Sequence, residues 1–366
     1  MRRFIECLIP LTACNLKCNY CYIIQEGRRK NEKAIFQYSP DTIGKALSVS
    51  RLGGISFISM TASGETFISP ELPFIAKEIL KQGHFINITT NGTLRKQISF
   101  FLEMTKEYHE HIHISFSFHF LELKRKNLIE TFFSNIKMVK DSGCSILLQI
   151  NLCDEYIPYW DEIKKLSILH VGALPQVALT RKESPDGYSI FTKLSDSEYI
   201  KIGQEMASPL FEYTVKNFNI KRKEYCYAGL WSAKLDLATG IMTGCYGNGL
   251  KQNIFEDITR PIKWMPIGKH CCFKYCFNSS HFMSQGIIPE LNPQPTYGEL
   301  RNREEAKWYT KEMRNFLYSS FEDSNPLLTT QQKQKFNYLY YTNLIWQKIS
   351  NLFNKYFHVS KSTRVF

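Results

Sequence analysis

The chain has 366 residues, of which 43% are hydrophobic, enough for one large domain with a smaller one and for a substantial core. It shows no basic leader with an apolar stretch and small-residue cleavage site, and no run of about 18 apolar residues, so secreted and membrane-spanning classes are not expected and the expected location is cytoplasmic. The net charge of +12, from 46 Lys and Arg against 34 Asp and Glu, is compatible with nucleic acid, an anionic membrane surface or an acidic peptide as partner and selects none of them. Eleven cysteines in such a chain point to metal ligation rather than to a disulfide scaffold.

In chain order, Phe4 to Leu11 is an apolar run of strand length, and Cys14, Cys18 and Cys21 follow it as CxxxCxxC. Further strand-like runs are Ile55 to Met60, Phe85 to Thr89, Ile112 to Phe118, Ile146 to Leu152 and Leu174 to Leu179. Helical stretches lie between them. Ser39 before Pro40 and Ser69 before Pro70 read as helix starts. Glu122 to Lys140, with Leu123, Leu128, Phe132, Ile136 and Val139 at helical spacing, reads as one helix closed by Gly143. Alternating strand and helix implies parallel strands, in an open doubly wound sheet or a barrel.

Three thiolates leave one iron of a four-iron cubane without a protein ligand, an open position where a cosubstrate can bind. A zinc knuckle completed by a distant His is the alternative. With Tyr20 just before the last cysteine, the motif resembles the signature of the radical S-adenosylmethionine (SAM) superfamily. That resemblance, over roughly residues 1 to 285, implies an incomplete (β/α)6 TIM-like barrel with the cluster loop after the first strand and the chemistry at the strands' C-terminal ends. It implies a [4Fe-4S] cluster on Cys14, Cys18 and Cys21 that binds SAM. Ser63-Gly64-Glu65 is similar to the family's Gly-Gly-Glu segment, with Ser in place of the first glycine, and the Glu65 carboxylate is expected on the SAM amino group. Thr90-Asn91-Gly92-Thr93 resembles the Thr-Asn-Gly turn beside the cofactor. Ser115 or Ser117 from the fourth strand, and Gln149 or Asn151 from the fifth, are candidates for the ribose hydroxyls, at least one of these four being structural. Tyr20 completes the cofactor-binding set.

Farther on, Cys226, a hairpin reading of Ala233 to Leu237, Thr239-Gly240 and Ile241 to Cys245, then Cys271, Cys272 and Cys276, resemble the start of a SPASM or twitch module and imply a second [4Fe-4S] cluster. The expected ligands are Cys226, Cys245, Cys271 and Cys276, with Cys272 as substitute for Cys271. A structural zinc site uses the same residue types. Cys7 and Cys144 read as small hydrophobes, and so does Cys153, which alternatively donates a hydrogen atom to a substrate radical.

From Ser324 to Phe366 there are six Lys or Arg and no acidic residue. Tyr338, Tyr341, Ile345, Ile349, Leu352 and Tyr356 form an apolar stripe, expected to pack on the barrel, with docking of an anionic surface or a partner as the alternative. The expected division is a core barrel over 1–215, an auxiliary-cluster domain over 216–290 and a helical extension over 291–366. The resemblance implies reductive cleavage of SAM to a 5′-deoxyadenosyl radical that takes a hydrogen atom from substrate. The electron comes from an external reductase such as flavodoxin or ferredoxin. The favoured substrate is a peptide or protein, modified by crosslinking, epimerisation or oxidation, followed by a small molecule or sugar that is dehydrogenated. No RNA-binding signature is recognisable, so RNA modification ranks below both, and a non-catalytic iron-sulfur protein last.

Overall fold

The expected strand runs form six strands: β1 (Phe4–Ile9), β2 (Phe57–Ala62), β3 (Phe85–Thr90), β4 (Ile112–Ser117), β5 (Ser145–Leu152) and β6 (Gln176–Leu179). The structure is a computed structural model that describes residues 1–184, 187–246, 249–273, 276, 282–291 and 294–357, without the side chains at 183, 184, 187, 343–348 and 350–357. Each strand lies parallel to the next, with Phe4 opposite Phe57, Phe57 opposite Phe85 and Ile86 opposite Ile112. Parallel neighbours need crossovers. The helices Pro40–Ala46, Leu72–Lys81, Arg95–Met104, Ile129–Asp141 and Trp160–Val171 supply one for each pair.

Side chains alternate between the two faces of each strand, and here the alternation separates chemistry. Ile58, Met60, Ile86, Ile88, Ile114, Phe116, Leu148 and Ile150 form a buried apolar layer. Their neighbours Ser59, Thr61, Asn87, Thr89, Ser115, Ser117, Gln149 and Asn151 line a cavity on the other face. A closed barrel of this class fills its interior with branched apolar side chains, whereas the corresponding face of this sheet is polar and lines a cavity. The short helix Tyr297–Arg301, started by a reciprocal Thr296–Glu299 capping box, sets Tyr297 edge-on to Phe57 at 5.0 Å and to His113 at 5.9 Å, flooring the cavity near the strands' N-terminal ends.

After β6 comes a separate hairpin, β7 (Arg181–Ser184) with β8 (Gly187–Ile190). The glycine hairpin then appears as β9 (Ser232–Asp236) and β10 (Ile241–Thr243), with Gly240 at φ 76° in the left-handed region that glycine enters freely. The two-residue β11 (Gln252–Asn253) follows it. Here the fold adds something the residue pattern did not show. β9 lies parallel to β1, with Phe4 opposite Ser232, so one sheet runs β11-β10-β9-β1-β2-β3-β4-β5-β6 and no barrel closes. Met1–Asn325 form one compact unit and Pro326–Phe366 a second.

Two expected helices change. Glu122 to Lys140 is broken into Phe120–Arg125 and Ile129–Asp141, because Asn127 turns the chain at φ 57°, a conformation asparagine tolerates. The helix expected at Ser69-Pro70 starts instead at Leu72, with Pro73 in its first turn and the Ser69 hydroxyl donating to Glu71 at 2.9 Å. Ser39 caps Pro40–Ala46 as expected, accepting from Thr42 N at 3.2 Å. The second unit contains the helix Thr330–Phe357, which carries Tyr338, Tyr341 and Ile349; the side chains of Ile345, Leu352 and Tyr356 lie outside the described ones.

Candidate active site

The CxxxCxxC loop leaves β1 and is held from several sides. Thr12 N and Ala13 N donate to Glu32 O, Gly64 N donates to Leu11 O at 2.8 Å, and Glu65 N donates to Ala13 O at 2.9 Å. The segment after β2 thus runs backbone to backbone against the loop. A Cβ at position 64 would lie 2.0 Å from Ala13 O, so only glycine permits this approach. The Arg29 guanidinium donates to Leu16 O at 2.6 Å and to Cys14 O, and Glu122 accepts from Lys17 N at 2.8 Å. Burial and the neighbouring thiols push the Cys14 and Cys18 thiols up, with Glu65 adding to the effect on Cys14, so the three sulfurs stand within electrostatic reach of one another. Soft thiol donors so arranged suit iron-sulfur ligation, and metal binding would replace the protons they hold.

Glu65 sits just after the end of β2 and is held by three donors. Its carboxylate accepts from Phe67 N at 3.0 Å, Thr90 Oγ1 at 2.7 Å and Asn91 N at 2.7 Å, is 2% exposed and does not line the cavity. Burial pushes its pKa up and those three bonds oppose the shift. The carboxylate therefore pins the Thr90-Asn91 turn. Asn91 in turn donates to Asn15 Oδ1 at 2.8 Å, with the same Nδ2 3.9 Å from the Cys14 sulfur. Gly64, Glu65 and Asn91 brace the cysteine loop directly, and Thr90 bonds Glu65.

Tyr20, Ser115, Ser117, Gln149 and Asn151 do line the cavity. Tyr20 Oη lies 2.5 Å from His119 Nδ1 and accepts from Tyr156 Oη at 3.1 Å. Burial pulls His119 down to about 4, so near neutral pH the ring is uncharged and fixes the Tyr20 hydroxyl. Ser115 donates to Asn87 Oδ1 at 2.8 Å. Residue reading missed Glu6, Ser59, Thr61, Asn87 and Thr89 of the wall. The two-residue spacing of the Ser, Thr and Asn pairs was the available signal. The cavity measures about 250 Å³ and opens to solvent at its mouth.

Cys226 is paired with Gly268 through two backbone bonds, and Cys245 follows β10. Burial pushes the Cys226 thiol far up, with Cys245, Cys276 and Cys271 adding to it, and pushes Cys245 up to about 12, with contributions from Cys276, Cys271 and Glu6. The fold thus gathers Cys226, Cys245, Cys271 and Cys276. Cys271 and Cys272 are both exposed, and Cys272 acts electrostatically on Cys271. Among the described residues, no three His, Cys, Asp or Glu side chains are arranged to hold a single metal ion. Cys7, Cys144 and Cys153 are buried, and Cys153, pushed up to about 12 by burial, does not line the cavity. Among the described residues, no helix is long and apolar enough to cross a membrane.

Residues 8–157 match the model of the Radical SAM superfamily. No curated protein matches the chain in sequence. The fold is similar to that of Streptococcus suis SuiB bound to S-adenosylmethionine, at a TM-score of 0.50 and 15% identity over 70% of this chain and 64% of SuiB, less than two thirds of SuiB's length. It is also similar to anSMEcpe with bound AdoMet, at a TM-score of 0.48 and 14% identity over 70% of this chain and 79% of that one. At such identities the likeness is one of fold.

Proposed function

The chain carries a radical SAM domain in residues 8–157, and on that premise we propose that it modifies peptides by SAM-dependent hydrogen abstraction in the polar cavity. Superfamily membership implies an enzyme that uses SAM and a four-iron cluster. Cys14, Cys18 and Cys21 are the residues that would hold this cluster, which when bound supplies the electron for cleavage of the SAM carbon–sulfur bond. The chain's own part is support and enclosure. Gly64 and Arg29 fix the cysteine loop, Glu65 holds Asn91 against it, and the His119–Tyr20–Tyr156 chain orients a hydroxyl at the cavity wall. Ser117, Gln149 and Asn151 offer donors and acceptors to a ribose or a substrate.

A second [4Fe-4S] site is proposed on Cys226, Cys245, Cys271 and Cys276, supported by the mutual effect of these four thiols and by Cys276 lining the cavity. The division at residues 215 and 290 is kept as a functional proposal, since β9 on the far side of the first boundary pairs with β1.

The observation that carries the peptide reading is a second depression, of mixed polar and apolar lining, with Ser189, Thr192 and Asp196 beside Ile190, Leu194 and Val215, that shares Leu179, Phe218 and Asn219 with the polar cavity. A substrate that continues beyond its reacting part reaches from the cavity into the adjoining depression; a peptide has that form and a single sugar does not. Anaerobically reconstituted, reduced protein given SAM and a perdeuterated tryptic peptide pool should place deuterium in 5′-deoxyadenosine. Deuterium transfer from a perdeuterated sugar pool alone would replace this reading with the sugar-dehydrogenase one.

A further inference from the structure

Glu6 interrupts the otherwise apolar strand β1 and faces the cavity. Among the described lining residues it is the only acidic one, and it is 5% exposed. A buried carboxylate is costly where the neighbouring strands manage with Ser, Thr and Asn, and such groups concentrate at functional sites. Its surroundings are specific. Tyr246 donates its hydroxyl hydrogen to Glu6 Oε1, and Tyr246 directly follows Cys245. Lys234 on β9, whose Nζ is 4.9 Å from the Tyr246 ring centre, and Arg181 on β7 both act on the carboxylate electrostatically. The carboxylate and the Cys245 thiol sense each other's charge. Burial pushes Glu6 up to about 7, against the pull of Tyr246, Lys234 and Arg181, so near neutrality it can both take and release a proton.

We infer that Glu6 is a catalytic residue of the cavity, the acceptor of the proton that a substrate loses when its radical is oxidised by the iron-sulfur acceptor proposed at Cys226, Cys245, Cys271 and Cys276. The inference rests on that second site and selects oxidation from among the peptide modifications. Loss of a hydrogen atom from a substrate C–H bond next to an O–H, N–H or S–H group leaves a carbon radical and forms 5′-deoxyadenosine. The radical then loses one electron to the iron-sulfur acceptor and its heteroatom proton to a Glu6 carboxylate oxygen, and the carbon–heteroatom bond becomes double. The substrate has then given up two hydrogens and two electrons. Negative charge added near Cys245 strengthens the hold of Glu6 on a proton, and a proton on Glu6 favours that charge, because the coupling is reciprocal.

The test needs no substrate. The full chain, reconstituted anaerobically, is titrated redox-wise from mildly acid to mildly alkaline pH with electron paramagnetic resonance detection of the second site, as wild type, Glu6→Gln and Tyr246→Phe. The wild-type midpoint potential should fall as pH rises, and the Glu6→Gln potential should not change. Tyr246→Phe should keep the fall but shift it to higher pH, since the lost hydrogen bond had stabilised the charged carboxylate. If about eight irons are present and the slope persists in Glu6→Gln, the role of Glu6 is overturned and the second site stands. A chain that holds only about four irons overturns both.

Discussion

The loop of Cys14, Cys18 and Cys21 and the proposed set of Cys226, Cys245, Cys271 and Cys276 bring cysteines towards one another by opposite means. The first spans eight consecutive residues, and the segments after β2, β3 and β4 brace it through Gly64, Asn91 and Glu122. The second draws on segments fifty residues apart, assembled by the pairing of β9 with β1 and by the backbone bridge of Cys226 to Gly268. Where ligands share a loop, spacing determines the geometry. Where they do not, the long-range fold determines it.

The strongest way to break this comparison is to remove one region and ask whether the other survives. Replacing Cys14, Cys18 and Cys21 together by Ala should lower the iron content from about eight to about four per chain and leave the spectrum of the second site in place. Cys226→Ala should do the reverse, with loss of the second site's spectrum and retention of the first, whereas Cys272→Ala should change neither. Purified protein with about four irons and one zinc would refute the second cluster and leave a structural metal site there.

A subtler cut leaves every thiol in place. In Gly64→Ala the new Cβ meets the Ala13 carbonyl, so the cysteine loop or the segment after β2 must shift. Overpacking of this kind costs about 3 kcal/mol. Thermal unfolding should show that loss, and iron analysis should show selective depletion of the first site. Retained first-site iron with unchanged Tm would mean the brace is dispensable.

Titration sharpens the comparison further, because the two regions carry buried groups of opposite sign. His119, beside Tyr20, is held near 4 against an ordinary 6.5, so its contribution to stability is lost as pH falls from 6.5 towards 4. Glu6, beside Tyr246, is held near 7 against an ordinary 4.5, so the native state loses stability as pH rises from 4.5 to 7. Each amounts to about 3 kcal/mol at most. The stability difference between Glu6→Gln and wild type should therefore move in favour of the variant as pH rises through that window. A difference independent of pH would show that Glu6 does not titrate there.

Much of the barrel was legible because β1 to β5 alternate apolar and polar residues or form short apolar runs bounded by turn residues, and because CxxxCxxC is local. Glu6 was not, since a single acidic residue inside Phe4 to Leu11 reads as an exception within a buried strand. The contact of β9 with β1 joins residues more than 200 apart and leaves no trace in local pattern. Glu65 shows another limit. A motif fixes where a carboxylate sits, but whether it turns to a cofactor or to the neighbouring Thr90-Asn91 turn depends on donors supplied by another strand end. Cys271 and Cys272 are adjacent and both exposed, so spacing alone does not rank them; Cys271 acts electrostatically on Cys226 and Cys245.

The central claim is that the first cysteine loop supports reductive cleavage of SAM, and the most direct test is 5′-deoxyadenosine formation by the reconstituted, dithionite-reduced chain with SAM alone. The account predicts 5′-deoxyadenosine and methionine in equal amounts from the wild type and neither from the variant lacking Cys14, Cys18 and Cys21. Equal yields from both proteins, or intact SAM in a wild-type preparation that carries its full iron, would contradict it.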